Sequence, residues 1–547
     1  MTAFVSSILR SAGGAAGLVA GDPANPIRTL WSDVHLAARR GAARLVAGGL
    51  RPGGTVAVLA AAPLEVAPVV QAVWLAGGSV TMLHQPTPRT DPLHYAAETA
   101  RVLGVIRARR VLLGDQFTGY ADRLEQAGIR THLIGDLLAD GEPIAEPVAV
   151  DENSTVLLQL TSGSTATPKA VRISHANAWN NLTAMVERAE IVAGHTVMVS
   201  WLPLFHDMGM VGFLTLPMVF GVEVVKVTPA DFLRSPLLWF ELISRYGGTH
   251  TAAPNFAYAV AAKALARGQA LDLSTLRFAL NGAEPIDVGA VRQFIAAGAR
   301  FGLPSTAMVP AYGMAETTLG VCIAHPGDPL TVDVLDAAAL ELEHRAVSAA
   351  DGAPTREFPR LGPPLDDIEV QTRGDDGTVL GEREVGTLFI RGPAVTDRYL
   401  TVDGDVPTKG PDGWLDTGDV GYLVDGQVVI CGRVKDVIIM GGRNIYPTDI
   451  ERVATGIEGV RAGNAIAVRW TASGGRESFV VAVESRQAGD AAAAAEIAKA
   501  VRSAVTAAIG ARPAQVLVLP AGSIPKTPSG KLKRAAAREM LIKATAG

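Results

Sequence analysis

Cysteine is scarce in this sequence, with only Cys322 and Cys431 among 547 residues. The two cysteines lie far apart, no Cys-x-x-Cys pair occurs, and neither belongs to a cluster with histidine. These absences exclude a disulfide framework and a structural zinc site, and the composition fits a protein of the reducing cytoplasm.

The sequence also lacks a strong excess of one charge and a long uninterrupted apolar run. The net charge is −5 and no long basic segment occurs, so nucleic acid is not expected as a partner. The N-terminal residues MTAFVSSILRSAGG contain no sustained apolar stretch, which argues against a secretory signal. The most apolar stretches, 66–83 and 211–225, predict buried core elements and no membrane insertion, because polar or glycine residues interrupt them at Gln71, Gly77, Gly78, Gly221 and Glu223.

The first half of the chain alternates short β-branched runs with alanine-rich segments of helical length. Strands are predicted at 55–59, 79–83, 110–113 and 156–160. Such alternation is typical of α/β proteins whose mostly parallel sheets are covered by helices. A chain of 547 residues is too long for one ordinary core, so two or more domains are expected.

The second half changes character at about Gly362, where short strands and Asp-Gly turn signals predict a β-rich subdomain. After Tyr446 the pattern predicts a small α+β region, with a helix from Thr448, strands at 465–468 and 478–483, a helix at 491–509 and a strand at 515–518. We therefore predict a large N-terminal part at 1–433, a hinge at 434–436 that contains Lys435, and a mobile C-terminal domain at 437–547.

A polar loop between two predicted strands could hold phosphates. It reads TSGSTATPK and runs from Thr161 to Lys169. Its hydroxyl groups, backbone N–H groups and single ammonium suit a polyanion, although a simple polar turn between strands has the same composition. It is not a Walker A loop, because Pro168 precedes the lysine and a strand follows where that motif needs a helix.

This loop resembles the phosphate loop of the acyl-adenylate-forming superfamily of AMP-binding enzymes. The superfamily includes acyl-CoA synthetases, peptide-synthetase adenylation domains, luciferases and fatty acyl-AMP ligases, and its commonest loop has glycine where Ala166 and Ala170 stand here. Five further segments match it in the right order: SWLPLFHDMGMVG from residue 200, LNGAEPI from 280, VPAYGMAETTLG from 309, GWLDTGDVGYL from 413 followed by GRVKD, and IPKTPSGKLKR from 524.

The resemblance implies a site for ATP and Mg²⁺. Tyr312 would stack on the adenine, Asp419 would accept both ribose hydroxyls, and Glu316 with Thr165 would ligate the metal that neutralises the triphosphate. The full set of implied nucleotide contacts is Thr161, Ser162, Gly163, Ser164, Thr165, Lys169, Gly282, Ala283, Glu284, Tyr312, Gly313, Met314, Ala315, Asp419 and Arg433.

Three residues would take part in the chemistry: His206, Glu316 and Lys531. A lone histidine is more often structural and a charged tail is more often solvated surface, but the resemblance puts His206 beside the reacting carboxylate. It brings Lys531 to the carboxylate and the α-phosphate. Attack of a carboxylate on a phosphate opposes two anions, so positive charge is needed where charge builds up in the transition state.

Several features resemble the fatty acyl-AMP ligase branch, in its mycobacterial form, which delivers acyl chains to carrier proteins. They are the wording SWLPLFHDMG, the tripeptide Gly442-Arg443-Asn444, the non-glycine residue Ala166, and surplus residues at about 328–360. In that branch the surplus segment is an insertion that packs on the N-terminal part and limits the rotation used for thioester formation with coenzyme A.

The implied function is ATP-dependent adenylation of a medium- or long-chain fatty acid, followed by acyl transfer to a carrier-protein phosphopantetheine for lipid, polyketide or siderophore biosynthesis. The carrier would be an acyl carrier protein or a synthase carrier domain. The alternatives are a long-chain fatty acid–CoA ligase and a non-catalytic binding homologue. The second would have lost charge at Glu316, Asp419, Arg433 or Lys531, and all four are present.

Overall fold

The computed structural model describes residues 1–86, 90–161, 168–268, 270–440, 443–471, 477–526 and 531–546. The chain forms two compact units, each assembled from separate segments. The first unit consists of Met1–Leu330, Leu361–Glu369 and Ile390–Leu415, and the second of Thr331–Arg360, Val370–Phe389 and Asp416–Gly547.

The strands of the described residues are, in chain order, β1 (Gly17–Asp22), β2 (Asn25–Leu30), β3 (Thr55–Leu59), β4 (Ser79–Met82), β5 (Arg110–Leu113), β6 (Arg130–Leu133), β7 (Thr155–Thr161), β8 (Lys169–Ser174), β9 (Val197–Ser200), β10 (Glu223–Lys226), β11 (His250–Ala253), β12 (Phe278–Asn281), β13 (Met308–Gly313), β14 (Gly320–Ile323), β15 (Val332–Asp336), β16 (Thr355–Pro359), β17 (Glu369–Arg373), β18 (Gly386–Arg391), β19 (Arg398–Thr401), β20 (Gly404–Pro407), β21 (Leu415–Val424), β22 (Gln427–Arg433), β23 (Ile438–Met440), β24 (Arg443–Ile445), β25 (Ala465–Thr471), β26 (Glu477–Glu484) and β27 (Gln515–Leu519).

The α-helices are α1 (Ala3–Ser11), α2 (Trp31–Ala47), α3 (Pro63–Leu75), α4 (Pro92–Ile106), α5 (Ala121–Gln126), α6 (Ile134–Leu138), α7 (His175–Arg188), α8 (Leu216–Phe220), α9 (Pro229–Arg234), α10 (Leu238–Tyr246), α11 (Asn255–Leu265), α12 (Val288–Ala299), α13 (Ala337–Leu342), α14 (Pro447–Thr455), α15 (Ala491–Ile509) and α16 (Arg534–Ala546). Shorter helical turns of 3₁₀ type occur at Asp115–Tyr120 and Ala315–Thr317, and a π-helix occupies Met208–Thr215.

Two eight-stranded sheets form the framework of the first unit. The strand order of the first sheet is β14-β13-β12-β11-β9-β10-β1-β2, and its strands from β13 to β1 run parallel. The second has the order β20-β19-β8-β7-β4-β3-β5-β6, parallel from β7 to β6. Because the carboxyl ends of parallel strands meet at one edge of a sheet, the segments after β9, β10, β12 and β13 lie at a common edge.

The second unit combines a four-stranded sheet, ordered β17-β18-β21-β22, with the smaller sheets β15-β16, β23-β24 and β25-β26-β27. Helices α14 and α15 contribute Ile450, Ile497, Val501 and Val505 to a core that also contains Phe479 of β26. A row of residues four apart on α15 is thereby buried, as expected for one apolar stripe of a helix covering a sheet.

The predicted fold class is confirmed, and so are the strands and helices that rested on continuous apolar runs. The runs at 55–59, 79–83, 110–113 and 156–160 became β3, β4, β5 and β7, which are almost wholly buried. Residues 211–225 form buried helical turns that lead into β10. Among the described residues, no helix combines the length and the hydrophobicity needed to cross a bilayer.

The insertion packs on the predicted N-terminal part at 1–433 and also on the C-terminal residues. Its Leu335, Leu340 and Phe358 share a core with Val385, Tyr422, Val429 and Tyr446. A limit that it sets on domain rotation stays a prediction. Residues 331–360 form β15, α13 and β16, and they belong to the second unit together with the C-terminal residues. There the Arg356 Nη2 donates to Glu341 Oε1 at 2.8 Å, and Arg356 Nε lies 3.0 Å from Asp449 Oδ2. Buried charges need partners of opposite sign, and these partners are supplied within the second unit. The hinge at 434–436 and the mobility of the C-terminal domain at 437–547 stay predictions.

One buried charge in the first unit predicts an unusual pH dependence of stability. Burial lowers the pKa of Lys226, at the end of β10, to about 7. The unfolded chain keeps this proton up to about pH 10.4, so it binds more protons than the folded chain between pH 7 and 10. The free energy of unfolding should therefore rise across this range, by about 1.4 kcal/mol for each pKa unit that burial removes.

Urea unfolding at pH 7, 8 and 9 will measure this effect by comparing the wild type with Lys226→Met. The variant should show a flatter pH dependence because it carries no proton at this position. Identical pH dependence in the two proteins would contradict a lowered pKa for Lys226.

Candidate active site

The predicted phosphate loop connects two antiparallel strands of the second sheet. Thr161 ends β7, Lys169 begins β8, and the two residues pair in the register of the hairpin. The buried Thr161 Oγ1 has no hydrogen-bond partner among the described residues. Residues 162–167 of the loop lie outside the described residues. They include the predicted contacts Ser162, Gly163, Ser164 and Thr165, together with Ala166.

Lys169, Tyr399 and Glu316 form a connected group although they are far apart in sequence. The Lys169 Nζ lies 3.9 Å from the centroid of the Tyr399 ring, in the position of a cation–π contact. The hydroxyl of Tyr399 donates to Glu316 Oε1 at 2.7 Å. Strand β19 carries Tyr399 beside Val171 of β8, so sheet pairing fixes the distance between ring and lysine. Glu316 is 8% exposed, and the Tyr399 hydroxyl binds one of its two carboxylate oxygens.

One residue with a strained backbone lies two positions after Glu316. Thr318 has φ = +75°, a value that is rare for a β-branched residue, and its buried hydroxyl has no partner in the described part of the chain. Gly313 permits the tight approach of the returning strand, because a Cβ there would lie 2.0 Å from the Leu319 carbonyl oxygen. A strained residue of this kind persists only where the surrounding structure enforces it, and here the returning strand β14 does so.

The segments predicted to contact the nucleotide follow β12 and β13 at the common edge of the first sheet. Ala283 has a left-handed backbone with φ = +68°, and Gly282 precedes it. The Glu284 carboxylate accepts a hydrogen bond from Phe256 N at 2.6 Å, so this side chain caps the start of α11. Tyr312, at the end of β13, directs its hydroxyl to the Met314 sulfur at 3.6 Å. Met314 and Ala315 lead directly into the turn that carries Glu316.

His206 lies in a tightly folded segment after β9. Its Nδ1 is 2.6 Å from Asp207 Oδ1, and the two side chains are 22% and 16% exposed. The Phe205 carbonyl accepts a bond from Gln159 Nε2 at 3.2 Å, which ties the segment to β7. The π-helix begins immediately afterwards, and π-helical turns are frequent at functional sites.

An aromatic cluster adjoins this segment. Trp201 stacks on Phe232 with 4.0 Å between ring centroids, and Trp239 and Phe256 approach it edge-on. Trp201, Phe232 and Trp239 are each at most 5% exposed, so the segment that carries His206 begins in a buried aromatic cluster. The Trp201 Nε1 has no acceptor among the described residues.

The remaining predicted residues belong to the second unit. Asp419 and Arg433 pair across β21 and β22, with Arg433 Nε 3.0 Å from Asp419 Oδ1. Asp419 is buried and Arg433 is exposed. Lys435 is exposed in the turn after β22, and Lys531 is half-buried just before α16. The structure thus groups Lys169 with Glu316 in the first unit, and Asp419 with Arg433 in the second.

The donors fit ATP with magnesium better than a metal bound by protein alone. Within the described ranges, no three His, Cys, Asp or Glu side chains come close enough to form a protein cage. Glu316 offers one buried carboxylate, and Mg²⁺ is commonly held by one or two carboxylates with phosphates and water. Glu316 would hold the ion, which when bound would neutralise phosphate charge.

Sequence reasoning missed Tyr399. It lies in the segment RYLT, which has no motif of its own, and its partner Glu316 is 83 residues away in the chain. An aromatic residue on a short strand was the only available signal.

Comparison with known proteins assigns the chain to a family. The profile of AMP-binding enzymes matches residues 19–400, and that of the AMP-binding enzyme C-terminal domain matches residues 442–538. The chain belongs to the AMP-binding enzyme family.

The relatives of this chain include proteins that carry the word ligase in their names. It is 52% identical to the Mycobacterium tuberculosis protein Rv1013, named as a ligase, over 95% of this chain and 96% of that protein. It is 31% identical to the medium-chain-fatty-acid–[acyl-carrier-protein] ligase JamA of Moorena producens, over 84% and 81% of the two chains. A solved structure from a study of fatty acyl-adenylate ligases of E. coli and L. pneumophila aligns with a TM-score of 0.90 and 29% identity, covering 100% of this chain and 99% of that one.

We predict that Tyr399→Phe weakens the binding of ATP with Mg²⁺ roughly tenfold, because Glu316 loses a hydrogen bond to a buried carboxylate. The aromatic ring remains for Lys169. Calorimetric titration with and without Mg²⁺ will measure the loss, which should be confined to the titration with the metal.

Tyr120→Phe is the matched control, since it removes the hydroxyl of a half-buried tyrosine that packs on Tyr95 and Phe117. Equal affinity of wild type and Tyr399→Phe in the presence of Mg²⁺ would rule out this role for the hydroxyl.

Proposed function

We propose that this protein adenylates a medium- or long-chain fatty acid with ATP and then transfers the acyl group to the phosphopantetheine thiol of a carrier protein. The observation that carries the proposal is the connected group of Lys169, Tyr399 and Glu316, which places an ammonium and a buried carboxylate in one cluster. The relatives named as fatty acid ligases support the same assignment. A cytoplasmic location and a role in lipid biosynthesis belong to this proposal.

The first half-reaction joins two anions. A carboxylate oxygen of the fatty acid attacks the α-phosphorus, the bond to the bridging oxygen of the β-phosphate breaks, and pyrophosphate leaves with the electron pair. Lys169 offers its ammonium to the phosphates, and Lys531 offers a second cation to the carboxylate and the α-phosphate. His206, whose Nδ1 lies 2.6 Å from Asp207 Oδ1, would lie beside the acid, and Glu316 would hold Mg²⁺, which would neutralise charge on the triphosphate.

The nucleotide would be held by groups with complementary shapes. Tyr312 would stack on the adenine, and the backbone of Gly282 and Ala283 would form the wall of its pocket. Asp419 would accept the ribose hydroxyls, since one carboxylate has room for two donors, while Arg433 beside it would reach the ribose or a phosphate.

In the second half-reaction the sulfur of the acceptor thiol attacks the acyl carbonyl, its proton passes to water, and AMP leaves with the electron pair. A carrier protein is the proposed acceptor because the insertion and the Gly-Arg-Asn tripeptide both resemble the carrier-dependent branch. Arg443 of that tripeptide donates through Nε to Glu341 Oε2 of the insertion at 3.1 Å. The alternative acceptor is coenzyme A.

We predict that Lys531→Ala lowers the adenylation rate about 10²–10³-fold while ATP still binds, because a transition-state charge contact is lost. Fatty-acid-dependent pyrophosphate exchange will measure the rate, and calorimetry will measure ATP binding. Lys533→Ala is the matched control, because this lysine is two residues away and exposed. Near-normal exchange in Lys531→Ala would refute the assignment.

The acceptor can be identified by competition. The enzyme is mixed with ATP, a panel of fatty acids, coenzyme A and a phosphopantetheinylated carrier protein, and the products are determined by mass spectrometry. We expect acyl-AMP and acyl-carrier. Abundant acyl-CoA would establish the coenzyme A ligase alternative, and no adenylate with any acid would overturn the proposed function.

A further inference from the structure

Lys226 is a buried ammonium that none of the proposed chemistry uses. It is the last residue of β10 and is only 1% exposed. No carboxylate of the described residues forms an ion pair with it, and burial alone accounts for the lowering of its pKa. A buried unpaired charge is costly, so its presence needs a reason beyond packing.

The ammonium binds the backbone directly after β9. The Lys226 Nζ donates to the Leu202 carbonyl oxygen at 2.9 Å and to Ser200 Oγ at 3.3 Å. The same hydroxyl accepts from Leu202 N at 3.1 Å, so both polar backbone atoms of Leu202 are held. Lys226 thus fixes the point where the chain leaves the sheet toward His206.

The segment from Ser200 to Gly209 has little freedom beyond this point. Phe205 is tied to Gln159 through its carbonyl, and a Cβ at Gly209 would lie 2.2 Å from the Pro203 carbonyl oxygen. Trp201 lies between the two residues that Lys226 contacts and stacks on Phe232. A shift of Leu202 would therefore move the aromatic cluster and the histidine together.

We propose that Lys226 is a positioning residue for recognition of the fatty acid, acting through the segment that carries Trp201 and His206. The proposal rests on the proposed function, because it takes the acid to bind against this segment. Lys226 also lies at the common edge of the first sheet, at the end of a strand adjacent to β9.

A purely structural role makes the opposite prediction. Lys226→Met removes the cost of burying an amine, which offsets the loss of its hydrogen bonds, so a lysine with only a structural role would leave the KM for the acid unchanged. A positioning lysine gives a variant that is at least as stable as the wild type but binds the acid poorly.

Lys226→Met is tested by pyrophosphate release, with the acid and ATP varied in turn. We expect the KM for the acid to rise about tenfold, because the Leu202 carbonyl loses its hydrogen-bond donor and the segment shifts. The KM for ATP should change less than about twofold, and the melting temperature should be unchanged or higher. Lys226→Gln, which keeps an amide donor, should recover part of the loss.

Hydrogen exchange of the peptide 198–212 gives a readout that does not depend on activity. Exchange should be faster in Lys226→Met than in the wild type, and unchanged in the peptide 155–161. Lys499→Met is the matched control, because the Lys499 side chain is 79% exposed in the second unit.

The outcomes separate the two proposals. Unchanged exchange, or an unchanged KM for the acid, in folded Lys226→Met overturns the positioning role. Absence of pyrophosphate release by the wild type with every acid overturns the proposed function, and exchange in 198–212 then decides whether Lys226 holds the segment.

Discussion

The hydrogen bond from Tyr399 to Glu316 is the interaction on which the first-unit site depends. A carboxylate that is 8% exposed would be costly without a donor, and the Tyr399 hydroxyl supplies one at 2.7 Å. The ring of the same residue lies against the Lys169 ammonium. One side chain therefore contacts both a cation and an anion. Strand pairing between β8 and β19 fixes this arrangement before any ligand binds.

The same edge of the first sheet shows how backbone geometry supports chemistry. Ala283 and Thr318 both have positive φ, although neither is glycine, and both follow strands of the parallel run. Such conformations cost about 1–3 kcal/mol each and persist only where the surroundings enforce them. Here the surroundings are the paired strands β12 and β13, and each strained residue lies in the segment that follows one of these strands.

Sequence reasoning succeeded where the signal was local. Continuous apolar runs predicted β3, β5 and β7, and the last apolar stripe predicted α15 at its observed bounds. It failed where a contact joins distant segments: Tyr399 meets Glu316 across 83 residues, and nothing in the sequence singled out Lys226, which is 1% exposed. Periodicity reports which face of an element is buried, but not which side chain of another element will meet it. Motif order therefore identified the family, while the partners of its residues required coordinates.

In the second unit, the insertion and the Gly-Arg-Asn tripeptide are joined by a hydrogen bond. The insertion and the Gly-Arg-Asn tripeptide lie about 100 residues apart in sequence, yet Arg443 donates to the buried Glu341 of the insertion and through Nη2 to the Ile509 carbonyl at 2.9 Å. A lysine has no planar fork with which to reach the carboxylate and the end of α15 together. Glu341 is 2% exposed, and Arg443 supplies the donor for its Oε2 while Arg356 supplies the donor for its Oε1. The tripeptide and the insertion therefore form one connected feature, in which Arg443 joins Glu341 of the insertion to the end of α15.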